Sequence, residues 1–387
     1  MVITPSHWAK SEPARQFLVA TLRKRGIIQS ERVAQAFLQV PREAFVSSFY
    51  EQEKGPRWIR QTPDMYEESR WIEKIYQDKP LVLLSSEKNQ AISSSSAPTA
   101  MALMLEALQI KPGMRVLEIG TGSGYNAALS AFLADNPNLV TTIELERNLA
   151  AQAERALHES IGDITIQVGD GRLGVARYAP YDRIISTASS PSFPRSWFDQ
   201  LAPHGRLVMD LQGTLNQSSF LIVQKSADGS TATGAFSEQY LHFMPLRPGE
   251  QDMSPSSLLQ KDVTQEVTLA MPALSEILFD ETFHWFLQWQ YPGMTLTRGT
   301  IKQGGPSDQR IITLIDAHRE TILQLTEIQD GQWFARQRGG RGLWLRIERA
   351  YTEWRFLGKP GRSDYSVEID GDKAELILSS SQKRYSL

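Results

Sequence analysis

The chain has no cysteine in 387 residues, which excludes disulfides, thiolate metal sites and a cysteine nucleophile. Neither sign of charge is in excess. Lysine and arginine number 41 against 44 aspartates and glutamates, a net charge of −3, so the composition provides no basic surface for nucleic acid. No apolar run approaches the ~20 residues that a membrane-spanning helix needs. The opening Met1-Val-Ile-Thr-Pro-Ser-His-Trp8 lacks the basic and apolar parts of a secretory signal, so a cytoplasmic protein without membrane contact is expected. Only six histidines occur, none at metal-ligand spacing, and no metal is expected. Internal repeats and long low-complexity tracts are missing too. What remains is a chain with 41% hydrophobic residues, long enough for two domains.

The run Val116-Leu-Glu-Ile-Gly120-Thr121-Gly122-Ser123-Gly124 is an apolar strand ending in closely spaced glycines. Glycine lets the backbone turn sharply and lets a ligand approach main-chain atoms, and the helix expected over Tyr125 to Leu133 brings its N-terminus beside that ligand. Dinucleotide folds space their glycines as Gly-x-Gly-x-x-Gly. Here Tyr125 follows Gly124, and Glu118 lies two residues before Gly120, a pattern that favours S-adenosylmethionine over NAD. Leu139 to Leu145 reads as the next strand and ends near Glu144, an acceptor for both ribose hydroxyls. Ile164 to Val168 reads as a third, followed by Gly169-Asp170-Gly171, which sets an acceptor near an adenine amino group. Taken singly, Glu144 reads as well as a solvated strand-end acid, and Asp170 as a turn former.

Residues Ser11 to Val46 predict two short helices joined near Gly26, and Gly55 to Asp78 an aromatic cap with Trp58, Tyr66, Trp71 and Tyr76. Alternating βα units fill Lys111 to about Gly213, the rhythm of a doubly wound parallel α/β sheet. A polar linker at Gln251 to Ser257 then leads to a mixed α and β stretch with five of the nine tryptophans: Trp285, Trp289, Trp333, Trp344 and Trp354. The expected division is an N-terminal cap over 1–90, a cofactor domain over 91–250 and an accessory domain over 258–387.

Ahead of Pro98 stand Ser93, Ser94, Ser95 and Ser96. Proline suits a first helical turn, serine suits an N-cap, and Met101, Leu105 and Leu108 give the helix an apolar face. Hydroxyls and free amides at a helix N-terminus make a site for a carboxylate. The plain alternative is a capping serine run.

Six blocks occur in one order: Val40-Pro-Arg-Glu-Ala-Phe45, Ser96-Ala-Pro98, the Gly120 loop, Val168-Gly-Asp-Gly-Arg-Leu-Gly174 with Ala179-Pro-Tyr-Asp182, Gln200-Leu-Ala-Pro-His-Gly-Arg206 and Phe243-Met-Pro-Leu246. In these the chain resembles the protein-L-isoaspartate (D-aspartate) O-methyltransferases, over roughly Phe37 to Leu246. The resemblance implies a Rossmann-like class I methyltransferase sheet, S-adenosylmethionine as methyl donor with S-adenosylhomocysteine as product, and an aspartyl-type carboxylate in a peptide or protein as acceptor. It implies a cofactor set of Glu118, Gly120, Thr121, Gly122, Ser123, Gly124, Glu144, Asp170 and Gly171. Ser96, with Ser94 and Ser95, inherits the place beside carboxylate and methyl group, and Pro98, Leu211, Pro245 and Leu246 fall to the peptide groove. A carboxylate with an ordinary pKa of about 3.9 is already ionised, so no general base is needed.

Two departures touch that groove. Ser94-Ser95 replaces the family's Thr-Ile, and Met209-Asp-Leu-Gln-Gly213 stands where repair enzymes tend to carry Pro-Val-Gly. Some 140 residues follow Leu246, and such extended members resemble methyltransferases of ribosomally made peptide natural products (lasso, graspetide and lanthipeptide types). That likeness implies a constrained precursor peptide as partner, with its aspartyl ester collapsing to an aspartimide. General repair of isoaspartyl damage is the alternative, and a degenerate fold that holds a peptide without turnover is the non-enzymatic one. In the tail, Arg338 and Arg341 with Trp344, Arg346 and Arg349 read as a surface for an acidic peptide, or as a glycine hairpin and an amphipathic helix with tryptophans turned inward.

Overall fold

The computed structural model describes residues 6–52, 57–86, 90–247, 262–269, 274–301, 309–329 and 332–387; the linker expected at 251–257 lies outside them. Two helices lead, α1 (Glu12–Lys24) and α2 (Glu31–Gln39), joined at Gly26, whose φ of 71° suits glycine. Ser30 caps α2 by accepting the Val33 amide at 3.2 Å. Leu18, Val19 and Leu22 of α1 and Val33, Ala34 and Phe37 of α2 are buried in one core, as their helical spacing predicts.

A small antiparallel sheet follows, built from β1 (Phe49–Glu51), β2 (Ile59–Gln61), β3 (Leu81–Ser85) and β4 (Ala91–Ser95) in the order β2-β1-β3-β4, with α3 (Glu68–Ile75) between β2 and β3. Ser93 to Ser95 are therefore strand and not helix cap: Ser95 lies opposite Leu81 and Ser94 opposite Val82. Next come α4 (Pro98–Leu108), β5 (Val116–Ile119), α5 (Tyr125–Ala134), β6 (Val140–Glu144), α6 (Arg147–Ser160), β7 (Thr165–Val168), β8 (Tyr181–Ser190), α7 (Arg195–Gln200), β9 (Leu201–Gln212), β10 (Ser218–Lys225) and β11 (Thr231–Phe236). Strands β9-β8-β5-β6-β7 run parallel. Every residue of β5 and β6 is buried, as expected for central strands of a parallel sheet, and Glu118, Thr141, Thr142 and Glu144 are buried polar residues among them. The order reverses at β5, between β6 and β8, and that switch point opens a crevice at the strand ends.

The remaining elements are β12 (Val263–Leu269), α8 (Leu274–Phe279), α9 (Glu281–Gln290), β13 (Met294–Ile301), β14 (Gln309–Asp316), β15 (Thr321–Gln329), β16 (Gln332–Gly339), α10 (Leu343–Phe356), β17 (Tyr365–Asp370), β18 (Lys373–Leu378) and β19 (Lys383–Ser386). Strands β12 to β16 form a separate antiparallel sheet, whereas β17 pairs with β11 so that the central sheet reaches ten strands, β19-β18-β17-β11-β10-β9-β8-β5-β6-β7. The change of sequence character near residue 250 is thus no break in the sheet. Trp285 meets Phe236 edge to face at 5.4 Å, and all five tail tryptophans are buried in a core shared with β5, β8 and β9. On α10 the buried positions Leu343, Trp344, Ile347, Ala350, Tyr351 and Trp354 follow a helical period, so the inward-turned reading of the tryptophans describes this helix. Among the described residues no helix is long and apolar enough to cross a membrane.

Candidate active site

The glycine loop takes the shape its composition allows. Gly120, Gly122 and Gly124 have φ of 92°, 52° and 85°, all in the left-handed region closed to most side chains. A Cβ on Gly120 would lie 2.9 Å from Thr187 Oγ1, and one on Gly122 would lie 3.2 Å from the Ser94 carbonyl. The loop therefore touches β8 on one side and the serine strand on the other. Gly124 answers a different need, since its Cβ would come within 3.1 Å of Leu157, where α6 packs.

Glu144 ends β6 with its carboxylate on the crevice. Oε2 accepts the Gly122 amide at 2.9 Å and Oε1 the Glu146 amide at 3.0 Å, so the acid and the loop fix each other. Two amides leave further lone pairs for a ligand hydroxyl. Glu118 stands behind the loop: it is fully buried and accepts Asn126 Nδ2 at 2.8 Å and Thr142 Oγ1 at 2.7 Å. Burial pushes its carboxyl up to about 7. The strand pleat directs it into the fold and off the crevice wall, so Glu118 braces α5 against β6. Thr121, paired with Thr142 at 2.8 Å, and Ser123, which accepts the Tyr125 amide at 3.3 Å, serve the loop in the same way.

Asp170 is also engaged within the protein. Its carboxylate holds the Arg172 guanidinium, with Oδ2 to Nη2 at 2.6 Å, and that hydrogen bond lowers its pKa; the neighbouring Gly171 lines the crevice.

On the opposite wall stand Ser93, Ser94, Ser96, Ala97 and Ala100. Ser95 does not join them: it is buried, with its Oγ 3.5 Å from Arg42 Nη2. Arg42, to which sequence reasoning gave no role, is wholly buried. Its Nη2 donates to the carbonyls of Ser96 (2.9 Å), Ser95 and Lys79 (both 3.3 Å), and its Nη1 to those of Ile75 (2.9 Å) and Gln77 (3.2 Å). Burial lowers its pKa to about 10, which leaves it charged at neutral pH. An arginine inside the Val40-Pro-Arg-Glu-Ala-Phe45 block was the available signal. The cap of α4 is likewise not a serine: Asp78 accepts the Thr99 amide at 2.8 Å, and Pro98 is buried in the first turn, off the crevice.

A strap over residues 242–247 forms the third wall. Ser189 exchanges backbone bonds with it, donating to Met244 O at 2.9 Å and accepting from the Leu246 amide at 2.8 Å. The register of β8 against β9 slips between Ile185 and Ser189, a bulge that sets Thr187 and Ala188 on the wall. His242, Phe243, Pro245 and Leu246 line the same space, and Arg247 pairs with Glu146 at 2.8 Å. Leu211, expected here, is fully buried within β9, on the face opposite its neighbours Asp210 and Gln212. Arg338 sits in β16 opposite Ile322 and Val263, and Arg341 is exposed in the turn before α10; neither reaches the crevice.

The three walls enclose a cleft of about 440 Å³, a size that suits a nucleoside with its substituent. Glycine backbone, the Glu144 carboxylate and a switch-point position fit S-adenosylmethionine. Fold and cleft together define a class I methyltransferase, and its cofactor is S-adenosylmethionine. The profile of the family described as Protein-L-isoaspartate(D-aspartate) O-methyltransferase (PCMT) matches residues 13–57 and 60–251, and the chain belongs to that family. It is 32% identical to a protein-L-isoaspartate O-methyltransferase of Pyrobaculum arsenaticum over 232 residues, 59% of this chain and 98% of that one. To the Methanopyrus kandleri protein of that name it is 37% identical over 218 residues, 56% of this chain and 84% of that one. A solved structure of a protein-L-isoaspartate O-methyltransferase, 24% identical, has a TM-score of 0.54 and covers 94% of this chain and 99% of its own. Likeness of fold therefore runs through the tail.

Proposed function

We propose that this cleft esterifies isoaspartyl carboxylates exposed on proteins and peptides, as a repair methyltransferase does. The observation that carries the reading is that one cleft joins the Gly120–Gly122 and Glu144 wall to the Ser94 and Ser96 wall. In this reading Glu144, Gly120, Gly122 and Gly171 hold the adenosine half of the cofactor. When bound, S-adenosylmethionine supplies a methyl group on a sulfonium. Ser96 and Ser94 orient the acceptor carboxylate with neutral hydroxyls, which suits a reaction in which the carboxylate loses its charge: a strong cation would hold the ground state more tightly than the transition state. Among the described residues the guanidinium on the wall is that of Arg247, which is paired with Glu146. Positioning supplies most of the acceleration. The ester closes to a succinimide outside the protein's control, as the next backbone nitrogen displaces methanol.

A dedicated, constrained aspartyl peptide is the second reading. It is favoured by Asp210-Leu-Gln212 and His242 behind and on the acceptor side of the cleft, and no longer by the tail, whose fold recurs in the solved isoaspartate methyltransferase. Methyl transfer from labelled cofactor to three peptides of one sequence separates the two: linear isoaspartyl, linear aspartyl and head-to-tail cyclised aspartyl. The linear isoaspartyl peptide is expected to win on kcat/KM by at least a hundredfold. Preference for the cyclised aspartyl peptide would replace the repair reading with the second one.

A further inference from the structure

His242 stands on the cleft wall with a row of polar groups behind it. Ser189 Oγ donates to Gln212 Oε1 at 2.6 Å, which leaves the Gln212 amide nitrogen facing His242 Nδ1 at 3.5 Å. Ser218 Oγ lies 3.2 Å from the same nitrogen. An amide nitrogen can only donate. Paired with that donor, Nδ1 of the ring accepts and the ring proton is carried on Nε2, which has no partner among the described residues; the residue itself lines the cleft. The mount is rigid as well: Asp210, fully buried, accepts the Phe243 amide at 2.9 Å and fixes the strap immediately after His242.

The tail closes this row from behind. Arg362 donates to the Ser218 carbonyl at 2.7 Å and to Gln217 Oε1 at 3.2 Å, with its guanidinium between the rings of Trp285 and Tyr240 at 5.4 and 5.2 Å. Gln288 of α9 donates to Gln217 O at 3.1 Å. Asp210 and Gln212 are two of the three residues that stand in place of Pro-Val-Gly, so the departure noted in the sequence and the histidine on the wall form one assembly.

We infer that His242 is a substrate-positioning residue whose Nε2–H, fixed by Gln212, donates to a backbone carbonyl of the peptide beside the modified residue. A carbonyl fits better than the reacting carboxylate. Its charge does not change during methyl transfer, so the bond contributes equally to ground and transition states and does not oppose the chemistry. The inference rests on the proposed reading only in that the acceptor is a peptide.

The test uses the full chain and a linear isoaspartyl peptide. His242→Phe is expected to raise KM for the peptide by about tenfold to a hundredfold, the loss of one hydrogen bond, with kcat within about threefold. His242→Gln, which keeps a donor at the Nε2 position, should recover most of that loss. Gln212→Glu places acceptors against Nδ1, moves the ring proton there and should raise KM as His242→Phe does. Long-range 15N correlation spectra of the histidine rings provide a readout independent of activity: an Nε2–H tautomer for His242 in the wild type and Nδ1–H in Gln212→Glu. Affinity for S-adenosylhomocysteine should stay within about twofold in all three variants. An Nδ1–H tautomer in the wild type, an unchanged KM, or a fall in kcat alone would overturn the assignment. A wild-type chain that binds S-adenosylhomocysteine and has the Nε2–H tautomer, yet ignores the peptide, would count against the proposed function and leave the geometry of His242 standing.

Discussion

Arg42 and Glu118 are buried titratable groups that never touch the cleft, yet each fixes one of its walls. Arg42 spreads the four N–H groups of Nη1 and Nη2 over five carbonyls around the ends of β4 and α3, a fork that a lysine ammonium cannot reproduce. Arg42→Lys should lower Tm by roughly 5 °C or more by leaving buried carbonyls unpaired. It should also cut kcat/KM for a peptide at least tenfold, while S-adenosylhomocysteine affinity, read at the other wall, changes less than threefold; equal losses in both would mean that Arg42 supports the whole fold and not the serine strand. Glu118 gives a pH dependence with a definite sign. Its pKa rises from an ordinary 4.5 to about 7 through burial, so between those values the native state keeps a proton that the unfolded chain has lost. Its contribution is complete below about pH 4.5 and is lost as the pH rises through 7. Thermal melts should therefore show the wild type losing stability relative to Glu118→Gln from pH 5 to pH 8, with the difference levelling above 8. Parallel curves would contradict a protonated Glu118.

At the scale of elements, the cleft is a meeting of a loop and a strand. The glycine loop was legible because Gly120, Gly122 and Glu144 carry their geometry in their identities: a left-handed turn calls for glycine, and a strand-end acid opposite it meets free amides. The serine strand was not legible. Ser93 to Ser95 have no apolar alternation, and only the pairing with Leu81, Val82 and Leu84 makes them a strand. The helix cap was missed for the same reason, since Asp78 comes from twenty residues upstream of α4. Two glycine substitutions separate the loop's tasks. In Gly122→Ala the new Cβ would press on the Ser94 carbonyl at 3.2 Å, so cofactor affinity and peptide KM should both worsen, each by about tenfold. In Gly124→Ala the clash is with Leu157 and Ala153 of α6, and the main effect should be a loss of about 1–3 kcal/mol of stability. Denaturant titration alongside kinetics checks both; a stable, inactive Gly124→Ala would move that glycine into the site.

For the whole molecule, the tail is joined to the catalytic sheet. Its pairing onto β11 spans more than a hundred residues of sequence, and nothing local in Tyr365–Asp370 names its partner, so composition pointed to a separate unit where the sheet is continuous. Removing residues after 257 strips the β11 edge and uncovers Phe236, and it also frees the turn held by Gln288 and Arg362. Such a truncation should be insoluble or should lose cooperative unfolding. A soluble truncation that melts cooperatively would contradict the continuous core.

The central claim is that the glycine loop and Glu144 form a cofactor site. Isothermal titration of S-adenosylhomocysteine into the folded full chain and into Glu144→Ala tests it most directly. The wild type should bind one equivalent per chain. Loss of the charged acceptor for the ribose hydroxyls should weaken binding by about a hundredfold, with Tm of the free protein within a few degrees. No binding to the folded wild type, or equal affinity in Glu144→Ala, would contradict the site as described.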